Sequence, residues 1–148
     1  MNKKRYNKNL KLVGFEAESE ARVLVEEKDT DDGGYEVTLK LEYGGEVYFV
    51  NGVLSYAAAL ADLQRSLPEG VMIKSCMSCG YAQQCVFGDE RDKVYCSYPG
   101  MKPEELISMF DNADYERSAK CAFDCCPNFE FAEERHQNYN DFLPLLKK

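Results

Sequence analysis

One stretch of regular alternation constrains the fold of this chain more than any other feature. Apolar residues occupy every second position from Tyr35 to Tyr43, and Glu, Thr or Lys fills each position between them. This period of two is typical of a β-strand with one buried and one solvated face. Gly44-Gly45 follows as a two-residue hairpin signature, and Glu46 to Val50 is rich in the β-branched and aromatic residues that favour a return strand. The sequence therefore predicts an antiparallel hairpin.

Two shorter strands are predicted before this hairpin. Leu10 to Ala17 begins with several apolar residues, and Arg22 to Glu26 reads Arg-Val-Leu-Val-Glu. Asp31-Asp-Gly-Gly34 precedes the hairpin and is typical of a turn, because glycine tolerates positive φ and aspartate bonds its own backbone. The N-terminal half is therefore predicted to be an antiparallel β-meander.

The apolar spacing changes after Asn51-Gly52. Apolar residues now recur three and four positions apart, which predicts an amphipathic helix over about 54–67 that Ser55 caps. Pro68 and Gly70 end this helix. Because neither a sheet nor a helix can bury its apolar face alone, the helix is expected to pack on the meander.

The second half of the chain is expected to be irregular. Short strands are predicted at Val71–Lys74 and Val94–Cys96, and a second helix is predicted to begin at Pro103, which suits the first helical position. The expected fold class is α+β: an N-terminal antiparallel β-meander packed on one helix, followed by a cysteine-rich, zinc-knuckle-like segment with a second helix. At 148 residues the chain fits a single domain, made of a flexible basic arm, the sheet with its helix, the cysteine-rich part and a tail (1–11, 12–70, 71–132 and 133–148).

The formal net charge is −8, and its distribution is uneven. Residues 1–11 hold five bases and no acid, whereas residues 12–146 hold 26 acids against 11 bases. Such an acidic body repels DNA, RNA and anionic lipid, so general nucleic-acid binding is not expected. No apolar run reaches the roughly 18 residues of a membrane helix, and the basic start lacks the apolar stretch of a secretory signal. The sequence therefore predicts a cytoplasmic protein without a membrane segment.

All seven cysteines lie between residues 76 and 126. Cys76-x2-Cys79-x5-Cys85-x10-Cys96 places four thiols in 21 residues. A C-x2-C turn can direct two sulfurs at one zinc ion, about 2.3 Å from each. Gly80, directly after Cys79, allows the positive φ that such a knuckle often uses. We therefore expect a structural zinc ion held by Cys76, Cys79, Cys85 and Cys96.

The cysteine spacing leaves other ligand sets open. The motif lacks a second C-x2-C pair, so Cys125 or Cys126 could come from later in the chain and replace Cys85. A second site with three cysteine ligands and one histidine could use Cys121, Cys125, Cys126 and the only histidine, His136. Adjacent Cys125 and Cys126 reach one ion only through an unusual loop, which weighs against this second site.

Four thiols in this order also suit chemistry other than zinc binding. Free cysteines often act as small buried hydrophobes, and a disulfide framework is an alternative against which the odd cysteine count speaks. Cys76-x2-Cys79-x5-Cys85 resembles the opening of the cluster motif in auxiliary domains of radical SAM maturases, which implies an iron–sulfur cluster. In that family a fourth cysteine follows after three residues, whereas here the gap to Cys96 is ten. Thiol–disulfide exchange needs a C-x2-C pair that opens a helix, and Gly80 follows the pair here.

The remaining composition bears on function. Ten tyrosines and eight phenylalanines are many for this length, and tyrosine gives large, rigid contact area at protein interfaces. The acid pairs match no recognisable acid–base arrangement. The sequence therefore favours a small acidic protein with a structural zinc, a non-enzymatic module of the immunity, inhibitor or adaptor type that binds another protein. The alternative is a thiol- or iron–sulfur-based redox protein.

Overall fold

The computed structural model describes residues 2–14, 17–85, 90–98, 100–111, 115–133 and 140–146. Four antiparallel strands form a meander in which each strand pairs with the next along the chain. They are β1 (Lys3–Val13), β2 (Glu18–Asp29), β3 (Tyr35–Tyr43) and β4 (Glu46–Val53). Both glycines of the turn between β3 and β4 have positive φ, 61° at Gly44 and 79° at Gly45, as a two-residue hairpin turn requires. The predicted α+β class with an N-terminal meander is confirmed.

Helix α1 (Tyr56–Ser66) covers the inner face of the meander, as predicted. The Ser55 hydroxyl accepts the Ala58 N–H at 3.1 Å, which satisfies one free donor of the first turn. The helix buries Leu60 and Leu63 completely, in the same core as the inward residues of β1 to β3. It also connects β4 to β5 (Met72–Lys74), which pairs with β1 at the opposite edge, so the strand order is β4-β3-β2-β1-β5.

The N-terminal segment differs from the prediction. The sequence predicts a flexible basic arm over residues 1–11, but Lys3–Val13 is a strand paired with β2 over its whole length. Backbone pairing with the long strand β2 holds this segment in the sheet, and the linear sequence does not display that partner. Lys3 and Arg5 both form ion pairs with Glu26 of β2, at 3.6 and 2.8 Å.

The second half of the chain contains shorter elements. A three-stranded antiparallel sheet has the order β6-β7-β8, and the predicted helix at Pro103 is present as α2. Within the described ranges, no helix is long and apolar enough to cross a membrane. The elements are β6 (Ala82–Gln83), β7 (Lys93–Cys96), α2 (Pro103–Ser108), β8 (Ala119–Cys121) and α3 (Phe142–Leu146), with single 3-10 turns at Cys76–Ser78, Met109–Asp111 and Tyr115–Ser118.

A chain of polar contacts joins the two halves. Arg91, at the loop before β7, donates to Glu27 of β2 at 2.5 Å. The other carboxylate oxygen of Glu27 accepts the Tyr56 hydroxyl hydrogen at 2.6 Å. The Tyr6 hydroxyl lies 3.2 Å from that of Tyr56 and 3.1 Å from Asp92. Burial raises the pKa of both tyrosines well above its usual range, so both remain protonated at neutral pH.

The last described segment returns to the core. Phe142 of α3 is buried, and Leu145 and Leu146 are partly buried against the same core. Arg65 of α1 donates to the Leu145 carbonyl at 2.6 Å. The predicted tail thus contains an anchored helix, and Phe142 is its most deeply buried apolar residue among those that the structure describes.

Candidate metal centre

The first C-x2-C pair is positioned by a side chain from helix α1. The buried Gln64 amide donates to the Val71 carbonyl at 2.7 Å and accepts the Ile73 N–H at 2.7 Å. Gln64 therefore holds β5 against the core much as a neighbouring strand would. The chain then enters the 3-10 turn Cys76–Ser78, which we call the knuckle together with Cys79.

The segment 121–132 is docked onto the knuckle through the backbone. An isolated antiparallel bridge joins Cys79 to Phe131, and four further backbone hydrogen bonds connect the two segments. Because main-chain bonds fix both segments, they bring a cysteine from late in the chain to the knuckle. The bonds run from Cys76 N–H to the Asp124 carbonyl (2.6 Å), from Met77 N–H to the Ala122 carbonyl (3.2 Å), from Gly80 N–H to the Glu130 carbonyl (2.7 Å) and from Ala132 N–H to the Ser78 carbonyl (2.9 Å).

Four cysteines line one small cavity, which we call the cysteine cavity. They are Cys76 and Cys79 of the knuckle, Cys96 of β7, and Cys126 from the docked segment. Its free volume of about 10 Å³ is close to that of one water-sized particle. Three of these four cysteines belong to the ligand set expected first from the sequence. The fourth, Cys126, belongs to the alternative set in which a later cysteine replaces Cys85.

Cys85 lies in a different environment. It packs in a small buried cluster with Tyr95 and Phe110. Alternation along β7 explains the separation, because Val94 and Cys96 face the cysteine cavity whereas Tyr95 faces the other side. The structure therefore brings Cys76, Cys79 and Cys96 together and does not place Cys85 with them.

The sulfurs of Cys79 and Cys96 both accept backbone hydrogen bonds. The Tyr98 N–H donates to the Cys96 sulfur at 3.4 Å. Backbone hydrogen bonds from Glu130 and Tyr81 act on the Cys79 thiol and lower its pKa, against a larger rise caused by burial. In both cases a backbone donor lies two residues after the cysteine, at Tyr81 and Tyr98. Donors aimed at sulfur stabilise the thiolate, the form that binds metal.

Burial dominates the electrostatics of the knuckle. It raises the pKa of the Cys76 thiol to about 12, and the neighbouring thiols of Cys126 and Cys79 add to the rise. The neighbouring thiols raise the pKa of Cys76 because they lie close to it around the cavity. A cation in the cavity would reverse this effect, since metal binding displaces the thiol protons.

The cysteine cavity is not a preformed coordination sphere. All seven cysteines are free thiols. Across the described part of the chain, no three Cys, His, Asp or Glu side chains are placed so that they could hold a metal ion. The four thiols share a cavity, and side-chain rotation is needed to direct their sulfurs at one centre.

The residues of the predicted second site are dispersed. Cys121 lines a separate cleft beside β1, whereas Cys126 lines the cysteine cavity. The Cys125 thiol contacts the Cys126 carbonyl at 3.7 Å, and burial raises its pKa. His136 lies outside the described residues.

Comparison with known proteins adds no assignment. No protein-family model, no curated protein and no solved structure matches the chain. The site itself is therefore the basis for any functional argument.

The choice of Cys126 over Cys85 depends on contacts that the sequence does not show. Spacing along the chain favours Cys85, only six residues after Cys79. Cys126 reaches the cavity because residues 122–132 bond to the knuckle across more than 40 positions. The sequence carries one signal that bears on this choice, the predicted strand at Val94–Cys96. Alternation along that strand places Cys96 on the face of the cavity and Tyr95, the neighbour of Cys85, on the other face.

Proposed function

We propose that this chain is a small cytoplasmic, non-enzymatic protein-binding module of the immunity, inhibitor or adaptor type, stabilised by one structural zinc ion. The zinc ligands are Cys76, Cys79, Cys96 and Cys126. The observation that carries the metal site is the meeting of four thiols, from three separate segments, on one buried cavity. Four cysteines are a usual ligand set for structural zinc.

The packing of the second half supports a structural role for the metal. Its strands β6 to β8 are two to four residues long, and its largest buried side chains, such as Met77 and Phe123, lie in the core that the meander and helix α1 form. Such short ladders supply little folding free energy by themselves. Zinc ligation adds free energy to folding, because the unfolded chain has no preformed site.

The binding of another protein is supported by one edge of the large sheet. Val47 and Phe49 of β4 are 56% and 58% exposed, and Leu54 just after the strand is 69% exposed. Glu42 lies opposite Val47 on β3, and Glu46 begins β4. An apolar edge bordered by carboxylates suits a partner with an apolar surface and basic residues around it.

Metal analysis of paired cysteine variants tests the site. The protein is purified without a metal-affinity column, and zinc is measured per chain by mass spectrometry. We expect one zinc per chain in a colourless sample and its loss in Cys126→Ser. Cys85→Ser is the matched control, because Cys85 is also buried but packs elsewhere, and it should retain the zinc.

Other outcomes would overturn this proposal in distinct ways. Loss of zinc in Cys85→Ser with retention in Cys126→Ser would restore the ligand set expected from spacing. A brown, oxygen-sensitive sample with iron and sulfide would show a cluster protein. Absence of any metal, with a melting temperature that is the same in Cys76→Ser and the parent chain, would exclude a structural metal.

A further inference from the structure

A second concave site lies beside strand β8, and Lys120 of that strand lines both this site and the cysteine cavity. It is a cleft of about 400 Å³ between the first half of β1 and strands β7 and β8. Four lysines line it, Lys4 and Lys8 from β1, Lys93 from β7 and Lys120 from β8, together with Tyr6 and Asp92. We call it the basic cleft. In a chain with a net charge of −8, four lysines around one cleft are a marked local reversal of charge.

The positions of two of these lysines are unusual for a strand. Lys4 and Lys8 fall on the same face of β1 as Leu10 and Leu12, which are fully buried in the core. Alternation therefore assigns both lysines to the inner face of the sheet. Tyr6, between the two lysines, contacts Tyr56 at the start of helix α1, and the basic cleft lies against this end of the strand. The inner face thus changes from apolar to basic within one strand.

Carboxylates compensate only part of this positive charge. Lys4 lies 3.8 Å from Asp92, and Lys8 lies 3.3 Å from Asp124. Lys93 and Lys120 are exposed and form no ion pair with any residue that the structure describes. Lys93 lies opposite Cys121, which also lines the cleft, whereas Lys120 lies opposite Val94, on the face toward the cysteine cavity. The uncompensated positive charge of the cleft is therefore mainly that of Lys93.

From this geometry we infer that the basic cleft binds a small anion bearing two or more phosphate groups. Lysine binds phosphate as a strongly hydrated point charge on a flexible stem, so lysines from β1 and β7 can reach one ligand. A concave site in which positive charge predominates, as here with four lysines and Asp92, raises the local concentration of anions. The volume lies in the usual range of small-molecule sites, about 300–1,000 Å³.

The charge of the rest of the chain selects the size of the anion. A duplex or a long single strand of nucleic acid extends beyond the cleft and meets the acidic body, which repels it. A compact anion of a few charges contacts the lysines alone. The cleft therefore favours a pyrophosphate-bearing small molecule over a nucleic acid.

Titration calorimetry with inorganic pyrophosphate tests this inference on the full chain. We expect saturable one-to-one binding that weakens as salt rises. The double variant Lys4→Gln/Lys93→Gln should weaken binding about ten- to hundredfold, since it removes two charges that line the cleft and neither residue lines the cysteine cavity. Lys28→Gln/Lys40→Gln, two exposed lysines on the outer side of β2 and β3, is the matched control and should leave binding unchanged.

The metal content is measured before and after each titration, because pyrophosphate can also chelate zinc. Heat that accompanies zinc loss would count against an anion site, as would equal weakening in both double variants. A short RNA that binds more tightly than pyrophosphate through the same lysines would also overturn the inference. Loss of pyrophosphate binding with zinc retained separates this site from the cysteine cavity.

Discussion

Strands β1 to β4 contain eight to twelve residues each and pair almost throughout, whereas β5 to β8 contain two to four. The first group buries a continuous apolar face under helix α1. The second contributes residues such as Ile73, Val94 and Phe123 to the same core, but isolated backbone bonds join its distant segments beside four thiols around a cavity. The comparison shows two ways to build one fold: local periodicity specifies the first region, and contacts between remote segments specify the second.

The largest expected effect tests the independence of the sheet. Leu39 of β3 is fully buried between Val25 of β2 and Val50 of β4. Leu39→Ala should lower the free energy of unfolding by about 2–5 kcal/mol, because it opens a cavity in a packed core. Urea denaturation followed by far-ultraviolet circular dichroism measures this loss.

Urea denaturation repeated with a zinc chelator tests whether the stability of the sheet depends on the metal. If the sheet folds by its own core, the loss caused by Leu39→Ala should be the same with and without chelator. Lys40→Ala, on the exposed face of the same strand, should change stability by less than about 0.5 kcal/mol. A chelator that abolishes the effect of Leu39→Ala would show that the sheet depends on the metal.

The next effect concerns the polar connection between the two regions. Glu27 is buried and accepts hydrogen bonds from both Tyr56 and Arg91. Glu27→Gln should cost about 1.5–3 kcal/mol, since it removes the charge that both donors face. Arg91 keeps its 2.8 Å contact to Asp29, so the loop stays attached at one point.

Glu26→Gln is the matched control for this change. Glu26 lies on the opposite face of β2, where it pairs with the largely exposed Lys3 and Arg5. Exposed pairs contribute about 0–1 kcal/mol, so its loss should be small. Hydrogen exchange should show faster opening around Arg91 in Glu27→Gln only, and equal exchange in the two variants would contradict the proposed connection.

The smallest effect contrasts two serines of the second region. The buried Ser78 hydroxyl donates to the Ile73 carbonyl at 2.8 Å and accepts the Ser75 N–H at 3.0 Å. The Ser75 hydroxyl is equally buried, and the described residues offer it no hydrogen-bond partner. Ser78→Ala should therefore cost about 1–2 kcal/mol, and Ser75→Ala should be neutral or slightly stabilising. Thermal melts of the two variants compare them directly, and a greater loss in Ser75→Ala would reveal a partner for that hydroxyl.

Local patterns predict the sheet because its information is local. The bounds of β3 agree with the alternation from Tyr35 to Tyr43, and Ser55 caps helix α1 as the sequence indicates. The start of β1 is not predictable in this way, because Lys3, Arg5 and Lys8 carry no apolar periodicity. Their strand is held by backbone pairing with β2, and acids on other segments, Glu26 and Asp124, only accompany it.

The cysteine cavity is only partly predictable for the same physical reason. The C-x2-C pair and the strand at Cys96 are visible in the sequence, and the structure places all three thiols on one cavity. The fourth position depends on bonds such as that from Cys76 N–H to the Asp124 carbonyl. Such a bond follows from the whole fold, so spacing alone favours Cys85 over Cys126.

The position of Cys126 has a consequence for synthesis on the ribosome. It is translated fifty residues after Cys76, when all of β1 to β4 and helix α1 has already been made. During that interval the nascent chain carries the thiols of Cys76, Cys79 and Cys96 without the segment that encloses them. A polypeptide cut short before residue 126 retains every strand of the meander but leaves the cavity open on one side.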